Sequence, residues 1–134
     1  MELTDRLRII GGKLYARRHE GVIVPEAVAS IGDWSPDKHT CHYNAETWCN
    51  REKESSLVRG YLYFDFTRLT PYVRFNLHSV IRDKSGKLWD ITPSHANQQY
   101  PFIEAEETEE EFRELVVDHG VKGIDYHVTP EERF

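Results

Sequence analysis

Eleven consecutive residues, HTCHYNAETWC from His39 to Cys49, hold two histidines and both cysteines of the chain. Three chemistries use such a set. Cys41 and Cys49 can form a disulfide; His39, Cys41, His42 and Cys49 can ligate zinc; or one thiol can act as a nucleophile while the other packs. Helical spacing opposes the disulfide, because eight residues of helix span about 12 Å and a bridge needs far less. The zinc reading has four suitable ligands but no C-x-x-C or H-x-x-x-H spacing, and it stands as an alternative. A nucleophile needs a depressed pKa and a base. With Thr40 as N-cap, Cys41 falls in the first turn of a helix, where unpaired N–H groups and the macrodipole favour the thiolate. Cys49, two turns further on, gains no such help and is expected to pack as a small hydrophobe.

The base must come from elsewhere. His42 is adjacent to Cys41, but neighbouring helix positions point about 100° apart, which makes it a poor partner. His78, in RFNLHSVIRD, and Asp90, in GKLWDITP, lie on either side of a DKSG turn. A type I turn at Lys84–Ser85 with Gly86 left-handed gives a three-residue loop and a bulge. That register pairs Asp83 with Lys87, Val80 with Asp90 and His78 with Thr92. His78 and Asp90 then share a face as diagonal neighbours. A two-residue loop would put them on opposite faces, and Gly86 favours the bulge. Alone, each reads as a structural residue. Together with a cysteine at a helix start they form a nucleophile, a base and a carboxylate that orients the base.

The elements that must position these groups follow from local pattern. Leu3, Leu7, Ile10 and Leu14 predict a helix from Thr4 to Arg17, interrupted in propensity by Gly11-Gly12. A short helix is expected from Glu26 to Ile31. LVRGYLYFDFTRL predicts a strand from Leu57 to Leu69, followed by strands at Tyr72–Arg82 and, as KLWDIT, at Lys87–Thr92. Thr108 and Glu111 form a capping box for a helix with Phe112, Leu115 and Val116 on its apolar face and Gly120 as its stop. A last strand is expected from Gly123 to Val128. The fold class is α+β, with N-terminal helices on an antiparallel sheet and a C-terminal helix. The 134 residues suit a single domain.

Composition narrows the function. A net charge of −6 opposes a general nucleic-acid binder, which needs a basic footprint. No apolar run approaches the ~20 residues of a membrane span, and the N-terminus lacks the apolar core of a signal peptide. A cytoplasmic, reducing location is expected, where structural disulfides are rare. The acidic run EAEETEEE at 104–111 reads as a solvated helix start, with a docking surface for a basic partner as the alternative.

CHYN at 41–44, RGYLY at 59–63, LHSVI at 77–81 and GKLWDITP at 86–93 resemble the Cys, Gly-Tyr/Gly-Trp, His and Asp-x-Thr elements of small bacterial members of the papain-like and transglutaminase-like cysteine enzyme superfamily. The similarity spans about residues 37–94. The resemblance implies Cys41 as nucleophile, His78 as base and then acid, and Asp90 as orienter, acting through a thioester on a peptide or small-molecule amide or ester without a cofactor. Papain-like proteases place a Gln shortly before the cysteine to complete the oxyanion hole, and residues 31–40 contain none; the Cys41 N–H with a side-chain donor from Trp34 or His39 can replace it. Asn44 is expected to position substrate or fix the helix, and Tyr61 and His95 to wall the cleft. A binding module on the same fold, without catalysis, is the remaining alternative.

Overall fold

The computed structural model describes residues 1–93 and 100–132, and its architecture is α+β. Helix α1 spans Leu3–Ala16 and α2 spans Cys41–Arg51. Five strands follow, β1 Ser56–Asp65, β2 Tyr72–Arg82, β3 Leu88–Trp89, β4 Phe102–Glu104 and β5 Gly123–His127, with helix α3, Glu109–Arg113, between the last two. Helix α3 runs on as a π-turn through Glu114–Asp118. Among the described residues no helix is long and apolar enough to cross a membrane.

The long antiparallel pair β1–β2 organises the sheet, from Ser56 opposite Arg82 to Asp65 opposite Val73. β4 lies on the far side of β1. Because β1 occupies one edge of β2 throughout, β3 and β5 must share the other. β3 takes Ile81 and Arg82, and β5 takes Tyr72 to Asn76. The stretch from Leu77 to Val80, which includes His78, therefore faces no strand on that edge. This gap is where α2 delivers its first turn.

Alternation along the strands buries both faces. Tyr61, Phe75, Leu77, Ile103 and Ile124 meet Ile10 and Leu14 of α1 and Phe112 and Leu115 of α3. On the opposite face Val58, Leu62, Val80 and Phe102 are covered by Val24. Ala45 of α2 is fully buried, in a third cluster with Ile81 and Ile91.

Several local expectations meet tertiary corrections. The helix expected at Glu26–Ile31 is instead extended chain, bridged at Val22 to Phe102 and at Glu26 to Asp90. Pro25 lacks an N–H and fixes φ, and the backbone groups around it find partners in strands: Ala27 N donates to Asp90 O at 2.9 Å and Asp90 N to Pro25 O at 2.9 Å. That pairing also ends β3 at Trp89 rather than Thr92, since Asp90 bonds to the 25–27 segment. β1 stops at Asp65, not Leu69, because the Asp65 carboxylate accepts from Thr67 N at 2.9 Å and turns the chain. Helix α1 passes unbroken through Gly11, where a Cβ would come within 3.3 Å of Ile124 and Tyr126, so this glycine serves close helix–sheet packing. The helix starts at Leu3, one residue before the expected Thr4, with Glu2 at the N-cap position.

Other signals are read as expected. Asp83 N donates to Lys87 O at 2.9 Å, Gly86 has φ +93°, and Ile81 faces Trp89, which is the bulged register. The Asp83 carboxylate accepts from Ser85, Trp89 Nε1 and Lys87 N, which holds it well below the usual carboxylate range. Thr108 and Glu111 make the reciprocal capping box, and Gly120 closes the helix at φ +62°. The acidic run is largely engaged within the fold: Glu104 pairs with Arg82, Glu106 with Arg17, and Glu109 with Arg59.

Gly60, opposite His78, sits where β4 comes closest: a Cβ there would lie 2.4 Å from the Ile103 carbonyl oxygen and 2.4 Å from the Phe102 ring. Backbone cannot yield as a flexible side chain does. Gly60→Ala is expected to cost about 1–3 kcal/mol, seen as a lower urea midpoint at unchanged m-value. An unshifted midpoint would show that β1 and β4 separate freely.

Candidate active site

Cys41 is the first residue of α2, so its N–H has no intrahelical acceptor and the positive end of an 11-residue helix lies beside its thiol. Thr40 occupies the N-cap position without capping the helix; its Oγ1 donates instead to Asn44 Oδ1 at 3.1 Å. Asn44 does the anchoring. Its Oδ1 also accepts from Asp37 N at 3.2 Å, and its Nδ2 donates to Asp37 O at 2.7 Å and to Thr92 Oγ1 at 3.1 Å. Only 1% exposed, Asn44 ties the approach loop, the helix and the segment after Asp90 together. It offers nothing to a ligand, so of its two expected roles it takes the structural one.

His78 and Asp90 are 4% and 3% exposed and joined by a bond of 2.7 Å between Nε2 and Oδ2. The other carboxylate oxygen accepts from Thr92 N at 3.0 Å. With Nε2–H donating to Asp90, Nδ1 is the ring nitrogen left to meet the Cys41 sulfur. Burial by itself would make His78 less basic, but the Asp90 carboxylate and the Cys41 sulfur outweigh it and push the imidazole up to about 9. Burial likewise raises the Cys41 thiol, yet hydrogen bonds and charge from His42 and His78 bring it down to about 5. At neutral pH the pair is a thiolate facing an imidazolium. Cys49 differs: burial pushes its thiol up, and it packs beside Trp48 and Ile81.

His42, expected to be a poor base for Cys41, nonetheless hydrogen-bonds its thiol. Helical side chains lean toward the N-terminus, which carries the His42 ring back over the turn holding Cys41. Its Nδ1 lies 2.5 Å from Ser79 Oγ and its ring stands edge-on to Phe112. Ser79 Oγ also accepts from Arg59 Nη1 at 2.9 Å. Arg59, 8% exposed, donates to Glu109 at 3.0 and 2.7 Å and to Glu46 at 2.8 Å. This second network was not among the expected features. Its signal was present: an arginine inside the apolar run LVRGYLYF needs buried partners.

A cleft of about 340 Å³ opens beside Cys41 and His78. Leu62 and Phe64 form its apolar part, and His39 lines it. Asn76, two residues before His78 on the same face, lines the cleft as well, which was not expected. Its Oδ1 accepts from Arg74 Nε at 2.7 Å, which leaves its amide N–H groups as the donors it can offer. Two expected residues lie elsewhere. Trp34 bridges Ile31 and does not line the cleft. Tyr61 is fully buried on the other face, where its hydroxyl donates to Glu107 and both burial and that carboxylate raise the phenol far above its ordinary range. The alternation of β1 decides this, since cleft-lining Leu62 and Phe64 flank Tyr63 and leave odd positions facing α1. His95 lies outside the described residues.

The four expected zinc ligands do not converge. Cys41 faces His78, His42 is engaged by Ser79, and Cys49 packs two turns away. Among the described residues no group of three or more His, Cys, Asp or Glu side chains is arranged to hold a metal ion. The chain matches no family model, and no curated protein or solved structure shows significant similarity to it.

The two thiols should separate chemically. Cys41 is expected to react with iodoacetamide at nearly its full rate at neutral pH and to lose reactivity only as pH falls through about 5, whereas Cys49 needs alkaline solution. Mass spectrometry of the two alkylated peptides across this range measures both, and equal rates at neutral pH would refute the assignment.

Proposed function

We propose that this protein is a thiol-dependent hydrolase or acyltransferase that acts on an amide or ester through Cys41, His78 and Asp90. We infer also that its core is of the papain-like and transglutaminase-like type. The support for the core is the chain order: a cysteine opening a helix, then a histidine on β2 of the antiparallel sheet and an aspartate directly after β3. The observation that carries the activity is the buried His78–Asp90 bond of 2.7 Å behind a thiol held at about 5. A purely structural histidine gives no reason for a cysteine beside it to ionise.

In this reading the Cys41 thiolate attacks the substrate carbonyl carbon, and the carbonyl π electrons move to oxygen. The oxyanion meets the Cys41 N–H and the Asn76 amide. The His78 imidazolium then protonates the departing amine or alkoxide as the tetrahedral species collapses to a thioester. Neutral His78 next takes a proton from water, or from an acceptor amine, which attacks the thioester and releases the thiolate. Asp90 keeps the ring in one tautomer and supports its positive form throughout. A cleft of about 340 Å³ suits a short acyl group.

Incubation with a panel of small activated esters and thioesters is expected to leave an acyl group on the Cys41 peptide, detected by mass and removed by hydroxylamine. Cys41→Ala abolishes it. Absence of both adduct and turnover across the panel would sink the proposal. Since the thiolate exists above about 5 and the imidazolium below about 9, kcat/KM should be bell-shaped between those values. Asp90→Asn removes the main support for the imidazolium, so the alkaline limb should move down toward the ordinary histidine value of about 6.5. Asn76→Ala should lower kcat by about 10²–10³ with little change in KM.

A further inference from the structure

The cleft beside Cys41 has a charge pattern opposite to that of the chain. The protein carries 23 acidic residues and a net charge of −6, yet among the described residues no aspartate or glutamate lines the cleft, while Lys38, Arg74 and Lys122 do. Three carboxylates contact residues that line it. Asp90 is buried beneath His78 and bonded to it. Asp125 pairs with Arg74 through both oxygens at 3.0 and 3.1 Å. Asp37, next to Lys38 in sequence, accepts the Lys38 backbone N–H at 2.6 Å and keeps its charge, but it does not line the cleft. The two lysines are exposed and have no carboxylate partner among the described residues. They come from opposite sides of the site, Lys38 from the loop before α2 and Lys122 from the approach to β5.

We propose that the cleft selects an acyl substrate bearing a carboxylate, held by Lys38 and Lys122 while Leu62 and Phe64 contact its apolar part. The inference rests on Cys41 being the nucleophile. The free cations are single ammonium groups rather than an open guanidinium fork, because Arg74 is occupied by Asp125, and ammonium groups act as point charges toward a small anion. Two ammonium groups on one concave surface also raise the local concentration of an anionic ligand. The acidic run at 104–111, which would favour a cationic substrate, is turned to other partners on Arg17, Arg59 and Arg82.

Two alkylating agents of nearly equal size test this on the whole protein. Iodoacetate carries a carboxylate and iodoacetamide does not; each forms an S–C bond with the Cys41 thiolate and expels iodide. At low ionic strength and neutral pH, the iodoacetate-to-iodoacetamide rate ratio at Cys41 is expected to exceed that of free cysteine by about tenfold. In the double variant Lys38→Glu, Lys122→Glu the ratio should fall to the free-cysteine value or below. His78 is intact in both proteins, so its own charge cancels from the comparison. A ratio equal in the two proteins overturns the carboxylate inference and leaves the nucleophile standing. Failure of iodoacetamide to react preferentially at Cys41 in the unaltered protein overturns both.

Discussion

A buried imidazole bonded to a buried carboxylate, His78 to Asp90 at 2.7 Å, is the constraint on which the remaining structure depends. Charged groups out of water are costly unless they are paired and their other hydrogen-bonding positions are filled. Asp90 meets that condition through Thr92 N as well as His78, and its own backbone is clamped by Pro25 and Ala27. Breaking such a pair by removing one partner costs about 3–5 kcal/mol in comparable cases. The arrangement favours a thiolate at half-buried Cys41 because the imidazolium between sulfur and carboxylate leaves one excess negative charge, not two, next to a helix N-terminus.

The sheet is built around this need. β3 and β5 divide one edge of β2 and leave the stretch around His78 without a strand partner, which opens the space that the first turn of α2 fills. Helix α2 is then held on two sides. Asn44 binds it to the approach loop and to Thr92, and His42 and Glu46 bind it to the Ser79–Arg59–Glu109 network behind. Fixing the helix on two sides is what holds the Cys41 thiol against the His78 imidazole.

The same division explains the chemistry of the two cysteines. They share a helix and eight positions of separation, yet burial dominates at Cys49 and is overcome at Cys41. The difference is the neighbourhood each reaches, namely two imidazoles and a helix terminus against an apolar cluster. Residue type alone does not distinguish them.

What the sequence determined by itself was local. Asp83 and Gly86 set the bulged turn and through it the register that puts His78 and Asp90 on one side of the hairpin; Thr108 and Glu111 set the start of α3; and the helix beginning at Cys41 followed from its spacing. These features are encoded in residues a few positions apart, whose backbone geometry each can enforce alone. Tertiary structure decided the rest. Whether Asp90 ends a strand depended on the 25–27 segment, some 65 residues earlier. The structural role of Asn44 depended on Thr92, and the stability of a buried Arg59 on Glu109, 48 and 50 positions away. The faces taken by Tyr61 and Asn76 depended on which side of β1 and β2 received the helices. Such choices are made by burial and by the pairing of polar groups across the fold, and no window of contiguous sequence contains both partners.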